Sequence, residues 1–423
     1  MGQKIAVVGG GSTYTPELVE GFANRAARLQ VAELVLFDID ADRRAVGGGL
    51  AQRILDHLDW RGRLTVTGDQ AAAIDGASFV LIQLRVGGQA ARFVDETLPP
   101  TFGTIGQETT GAGGFAKALR TVPVVLDIAE EVGRRSAPGA WIIDFTNPVG
   151  IVSQALLDEG HRAIGLCNVA IGLQRRFAAQ FGVPPERVEL EHVGLNHLSW
   201  ERAVKVDGVD RLPGLLAENA DAVGDMTGMP AGITAILGML PSYYLRYYYD
   251  FDTALAEQQA GHTRAEEVMD IEARLLELYR DPALAEKPKL LESRGGAFYS
   301  EAAAQLIASL TDGAGDLQVV DVRNDGALPG LPDDAVVEVP AIIDRDGAHP
   351  VRLAPLEPVI AGLVESVKAY ERLAVRAAIS GDRRVASLAL LANPLVGEWP
   401  MADRLLGALL DANRTMLPRF FPG

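Results

Sequence analysis

An apolar run, Lys4-Ile5-Ala6-Val7-Val8, ends in three consecutive glycines, Gly9-Gly10-Gly11, and the chain continues through Ser12-Thr13 into a helical pattern. A strand that must turn at once into a helix needs residues without Cβ hindrance at the corner. At such a corner the backbone can approach a phosphate, and the first N–H groups of the helix point at it. Tyr14 stands where the full dinucleotide fingerprint has its third glycine, so the triplet alone also suits a plain strand-to-helix turn capped by Ser12. Asp38, in Leu36-Phe37-Asp38-Ile39-Asp40, supplies the second half of the pattern. An acid at the end of the second strand hydrogen-bonds a ribose diol and repels a 2′-phosphate, which predicts NAD over NADP. The cofactor residues expected on this basis are Gly9, Gly10, Gly11, Ser12, Thr13 and Asp38.

The first part of the chain alternates short apolar runs with stretches of helical period. Strands are expected at 4–8, 33–37, 64–67, 78–84, 140–145 and 163–166, with helices at 16–27, 41–58 and 116–134 between them. This spacing predicts a doubly wound α/β sheet of the Rossmann type. After Pro184 the pattern changes to a hairpin, 187–193 and 198–205, and then to helices at 263–278, 301–309, 357–380 and 400–410. The expected division is therefore a Rossmann-like parallel-sheet domain over 1–184 and a mixed α/β domain over 185–423 that carries substrate, metal and oligomer contacts.

With 423 residues, 48% of them hydrophobic, the chain can bury a large core. No apolar stretch approaches the roughly 18 residues of a membrane span. The N-terminal residues lack the regions of a signal peptide, so the expected location is the cytoplasm. A net charge of −17 without a dense Lys/Arg run argues against a nucleic-acid partner. An anionic substrate would have to be held by a few local arginines. The single cysteine, Cys167, has no partner for an internal disulfide. It ends the sixth expected strand, the edge where open α/β sheets place their ligands, and His197 stands at a strand turn in Gly194-Leu195-Asn196-His197. Thiolate and imidazole can share a divalent ion, and the pair by itself would also suit zinc. Each residue also has an ordinary reading, as a small core residue and a hydrogen-bonded ring.

The ordered motifs Gly9-Gly10-Gly11-Ser12-Thr13, Arg85-Val86-Gly87-Gly88, Gly106-Gln107-Glu108-Thr109, Thr146-Asn147-Pro148, Cys167-Asn168 and Gly194-Leu195-Asn196-His197 resemble those of family 4 glycoside hydrolases, the NAD- and metal-dependent 6-phospho-glycosidases. The likeness continues through Pro241-Ser242-Tyr243-Tyr244, His262-Thr263-Arg264 and Val337-Glu338-Val339-Pro340. It implies a fold like that of lactate and malate dehydrogenases. Asn168 after the cysteine resembles the 6-phospho-β-glucosidase branch, where α-acting members commonly carry Asp.

That family departs from two-carboxylate glycoside hydrolysis. The resemblance implies that NAD takes a hydride from C3 of the sugar, a base removes the acidified C2 proton, and the C1 leaving group is eliminated. Water then adds, and the hydride returns to C3. Cys167 and His197 match the ligands of the metal, Mn²⁺ or another divalent ion. Tyr244 matches the catalytic base and Glu108 the residue supporting its basicity, although the tyrosines from Tyr243 to Tyr249 also read as an aromatic core stripe. Arg92, Asn147, Asn168 and Arg264 match substrate contacts. The implied substrate is a 6-phosphorylated disaccharide such as phosphorylated cellobiose, and the implied assembly a homodimer or homotetramer.

Two departures bear on specificity. Ala170 stands where β-acting relatives usually have proline, and Thr109-Thr110-Gly111-Ala112-Gly113 alters a commoner Asn-Gly-Pro-Gly-Gly. The glycine turn alone would fit a 2-hydroxy-acid dehydrogenase or a non-catalytic NAD sensor, and an α-acting glycosidase of the same family is the nearer alternative.

Overall fold

The computed structural model describes residues 2–296 and 298–422. Six parallel strands, β1 (Gln3–Val8), β2 (Val31–Phe37), β3 (Arg63–Thr67), β4 (Phe79–Ile82), β5 (Trp141–Asp144) and β6 (Ala163–Gly165), lie in the order 3-2-1-4-5-6. All six strands expected from the sequence are present. The order reverses between β1 and β4, so the crevice at their carboxyl ends is the topological switch point where such sheets bind ligands. Ile5 to Val8 are buried, as a parallel strand covered by helices on both faces requires.

A hairpin of β7 (Val188–Leu195) and β8 (Leu198–Val206) forms a second sheet with β9 (Val209–Asp210) and β10 (Leu240–Pro241). The hairpin expected from the sequence is thus also present. Its two-residue connection, Asn196-His197, holds His197 at a φ of +62°. Three further strands, β11 (Asp316–Arg323), β12 (Val336–Asp344) and β13 (Gly347–Pro350), extend the first sheet beyond β6. β11 is antiparallel to β6, with Asp321 opposite Gly165. The sequence reading had no strands here, so the sheet is nine-stranded rather than six.

The helix expected at 116–134 begins earlier, as Gly111–Arg135. Its glycine-rich first turn is needed for close approach, since a Cβ on Gly113 would lie 2.4 Å from the carbonyl oxygens of both Asp95 and Gln107. The later helix Arg264–Tyr279 starts with a capping box between Thr263 and Glu266.

Candidate active site

The glycine turn is shaped by contacts that exclude side chains. Gly9 has a φ of +89°, and a Cβ there would lie 2.5 Å from Gln83 O. A Cβ on Gly11 would lie 2.7 Å from the Asp38 carboxylate, which accepts the Gly11 N–H at 2.8 Å. Gly10 packs on Leu36 of β2 and is required by the sheet itself. Thr13 is buried, with Oγ1 accepting from Arg294 Nε at 2.6 Å. A cavity of about 1130 Å³ opens from this corner and runs across the switch point. Gly9, Gly11, Ser12 and Asp38 line one end, and Arg92, Glu108, Asn147, Asn168, His197, Tyr244 and Arg264 line the rest. Cys167 lies behind the wall, only 4% exposed.

The Thr146-Asn147-Pro148 turn is held by a clamp on the ends of β4 and β5. Thr146 Oγ1 donates to Ile82 O at 3.0 Å, and Thr146 N donates to Asp144 Oδ1 at 2.9 Å. Burial pushes the Asp144 carboxyl up to about 8. The clamp sets Asn147 on the cavity wall, where its buried Oδ1 has no partner among the described residues. An unpaired buried acceptor is costly unless a ligand supplies a donor.

Cys167 lies just beyond the end of β6, and His197 lies in the β7–β8 turn. The Asn196 side chain hydrogen-bonds the Cys167 sulfur, and His197 is the next residue. Burial and the Glu338 carboxylate raise the Cys167 thiol well above its ordinary range, against the opposing Val169 N–H and Asn196 amide. Burial lowers His197 to about 4, so its ring is neutral, the form that ligates metals. Thr109 Oγ1 lies 2.7 Å from His197 Nδ1. Among the described residues no group of three or more His, Cys, Asp or Glu is disposed to hold a cation. A thiolate and an imidazole are donors suited to a divalent cation, and two such ligands alone would leave positions open for substrate oxygens.

The imidazole of His197 stacks on the ring of Tyr244, with centroids 3.7 Å apart and planes 12° from parallel. Burial raises the Tyr244 phenol well above its ordinary range, and the neighbouring Cys167 and the Glu108 carboxylate oppose a second negative charge there. Glu108 itself is buried, which favours the neutral acid, but three cations outweigh this and hold it well below the usual carboxylate range. They are Arg85, which pairs with both carboxylate oxygens, Lys117 at 2.6 Å and Arg92 at 3.4 Å. Burial and the Arg85 charge push Lys117 down to about 7.

Arg92 is not isolated either. Its Nε bonds Glu96 at 2.6 Å, and the other Glu96 oxygen accepts Ala265 N at 2.8 Å, tying this corner to the start of helix Arg264–Tyr279. Arg264 remains 40% exposed at the cavity mouth, paired with Glu267 at 2.5 Å. Arg85, Glu96, Lys117 and Arg294 were missed from the sequence. Lys117, the single lysine of its helix, reads from the sequence as a surface charge, and of the four only Arg85 falls within a family motif.

The sheet order and its switch-point crevice define a Rossmann-type α/β protein. A lactate dehydrogenase from Cryptosporidium parvum shares this fold, with a TM-score of 0.55 and 14% identity, covering 90% of this chain and 98% of that one. The chain belongs to family 4 of the glycosyl hydrolases: the family 4 glycosyl hydrolase model matches residues 4–183, and the family 4 C-terminal domain model matches 192–396. A protein of Bacillus subtilis (strain 168) named "Probable 6-phospho-beta-glucosidase" is 40% identical, over 99% of this chain and 98% of its own length. The 6-phospho-beta-glucosidase of Thermotoga maritima, solved with manganese, NAD⁺ and glucose-6-phosphate, superposes with a TM-score of 0.91 at 34% identity, covering 98% of this chain and 99% of that one.

Proposed function

We propose that the protein hydrolyses 6-phospho-β-glucosides to glucose 6-phosphate and an aglycone, using NAD and a divalent cation such as Mn²⁺. The observation that carries this reading is the shared cavity, in which the glycine turn and Asp38 lie at one end and the stacked His197 and Tyr244 at the other. A dehydrogenase with net redox output has no need of the thiol and imidazole pair behind Tyr244. The glycine corner and Asp38 would hold NAD, which when bound supplies a hydride acceptor and returns the hydride. Cys167 and His197 would hold the cation, which when bound supplies Lewis acidity toward the sugar oxygens.

The chain's own residues do the remaining work. Tyr244 is the base for the C2 proton. Burial and the Glu108 carboxylate raise the phenol above its ordinary range, so Tyr244 acts as base only once ionised, and the cation that Cys167 and His197 would hold favours the phenolate when bound. Arg85, Lys117 and Arg92 keep Glu108 ionised. The unpartnered Asn147 Oδ1 accepts a sugar hydroxyl, and Asn168, at the start of helix Val169–Phe181, adds a second polar contact. Arg264 provides positive charge for the 6-phosphate, and Arg92, paired with Glu96 and Glu108, holds the corner beside it.

In this reading residues 1–184 carry the cofactor, and 185–423 carry the cation site, the base and the assembly contacts. A cytoplasmic homodimer or homotetramer is the expected form. The exposed Leu388 and Trp399 on the C-terminal helices support self-association, which light-scattering mass tests. No helix among the described residues is long and apolar enough to cross a membrane.

A chromogenic glycoside assay over both anomers, with and without the 6-phosphate, tests the reading. Cleavage of the 6-phospho-β-glucoside is expected only with NAD and Mn²⁺ present, and without NADH accumulation. Net NADH formation without aglycone release would overturn it.

A further inference from the structure

The loop before helix Gly111–Arg135 contains a directional chain of hydrogen bonds that ends on His197. Gln107 Oε1 accepts three of them: from Thr109 N at 2.6 Å, from Thr110 N at 2.8 Å and from Thr109 Oγ1 at 2.7 Å. Two backbone N–H donors facing the same amide atom identify it as oxygen, because a Gln nitrogen there would meet them hydrogen to hydrogen. That oxygen carries no hydrogen, so the close Oγ1 contact must use the single hydroxyl hydrogen of Thr109. Toward His197 the hydroxyl can then offer only a lone pair. The 2.7 Å contact between Thr109 Oγ1 and His197 Nδ1 therefore needs its hydrogen from the ring. A neutral imidazole protonated at Nδ1 has its lone pair on Nε2.

We propose that Gln107 and Thr109 are positioning residues for the cation site: Gln107 orients the Thr109 hydroxyl, and the hydroxyl holds His197 in the Nδ1–H tautomer that presents Nε2 as a metal ligand. Its bearing on the cation rests on the reading of His197 as a ligand. The fixed partner also explains why His197 tolerates a φ of +62° in a two-residue turn: the ring is held from the side by Thr109 and from its face by Tyr244. Outer partners of this kind set the tautomer and orientation of ligating histidines, and their loss typically lowers metal affinity by roughly 10–100-fold.

The test is done on the full-length protein, first without metal. Long-range ¹⁵N–¹H spectra of ¹⁵N-histidine-labelled protein report the tautomer of each of the six histidines, and His197→Gln identifies the relevant signal. The expected wild-type signal is Nδ1–H. Thr109→Val and Gln107→Leu should shift it toward a mixture or the Nε2–H form, and Thr109→Ser should restore it. Mn²⁺ titration followed by the EPR signal of free aqueous Mn²⁺ should then show affinity falling by roughly 10–100-fold in Thr109→Val, with Thr109→Ser close to wild type and NAD affinity unchanged.

An Nε2–H signal in the wild type overturns the proposal. So does a Thr109→Val protein with both the tautomer and the Mn²⁺ affinity of the wild type. If Thr109→Val does not fold, Thr109→Ser and Gln107→Leu decide: equal tautomer populations and equal Mn²⁺ affinities in both overturn it. Cys167→Ser and His197→Gln separate the two readings. If both bind Mn²⁺ as tightly as the wild type, the cation site itself is misassigned and the positioning role falls with it. If both lose Mn²⁺ while Gln107→Leu and Thr109→Val keep it, only the positioning role fails.

Discussion

The rings of His197 and Tyr244 lie stacked at 3.7 Å between centroids, which fixes the phenol beside the imidazole of the β7–β8 turn. Replacing Tyr244 with Phe keeps the ring and the stack but removes the hydroxyl. The variant is therefore expected to fold and bind NAD as before while turnover falls by roughly 10²–10⁴-fold, the usual contribution of a positioned base. Exchange of the C2 proton with solvent deuterium measures the base step directly. Exchange at an undiminished rate in Tyr244→Phe would remove Tyr244 from that role.

Asp38 meets the glycine corner through the Gly11 N–H at 2.8 Å, so its carboxylate both shapes the turn and lines the cavity. Asp38→Asn keeps an acceptor for Gly11 and removes the charge. NAD affinity is expected to drop by roughly 10-fold, about 1.5 kcal/mol for a lost charged hydrogen bond. NADP affinity should rise or hold, because the repulsion of its 2′-phosphate is gone. Fluorescence titration of both cofactors gives the ratio, and an unchanged NAD to NADP preference would contradict the assignment.

His192 lies buried between two carboxylates, with Nδ1 2.7 Å from Glu201 and Nε2 3.2 Å from Glu338. Burial opposes its charge, but the two acids outweigh this and raise it to about 10. The unfolded value is about 6.5. The folded state therefore holds an extra proton between these limits. The resulting stability is complete below pH ~6.5 and is lost as the pH rises through about 10. Lys117, lowered from 10.5 to about 7, acts in the opposite sense over its own window, stability rising with pH. The informative quantity is thus the difference between wild type and His192→Gln in guanidinium midpoint. The gap should be widest at pH 6 and narrow toward pH 10. A gap independent of pH would show that His192 does not carry the charge.

The parts of this fold that were readable in the sequence are those whose physics is local. Gly9 to Ser12 announced a strand-to-helix corner because glycine has no substitute there, and strands such as β1 and β4 announced themselves as short apolar runs. β11 to β13 gave no such signal, since Asp321 and Glu338 sit in the middle of strands where a sheet core normally has apolar residues. Glu338 is met there by a partner distant in sequence, His192. Cys167 and His197 were recognisable through family motifs, but the place of His197 depends on a hairpin turn thirty positions beyond the cysteine. Lys117 was illegible for the same reason: only the packed fold brings Glu108 and Arg85 against it.

Arg92 and Arg264, both expected from the family resemblance as substrate contacts, are unlike in the fold. Arg92 is buried, its charge already met by Glu96 and Glu108, and Glu96 in turn bonds the start of the helix that carries Arg264. Arg264 stands half open to solvent at the first position of that helix, where the helix dipole also favours an anion. Arg264 is therefore the expected phosphate anchor, and Arg92 the residue that holds the Glu108 corner. Arg264→Ala should raise KM for the 6-phospho-β-glucoside by roughly 10–100-fold, about 1.5–3 kcal/mol of charged hydrogen bonding, with a smaller change in kcat. Its preference for phosphorylated over plain glycoside should shrink accordingly. Arg92→Ala should instead lower kcat and the melting temperature, because it leaves two buried carboxylates short of a cation. Steady-state kinetics of both variants on both glycosides separates the roles, and a KM effect confined to Arg92→Ala would reverse them.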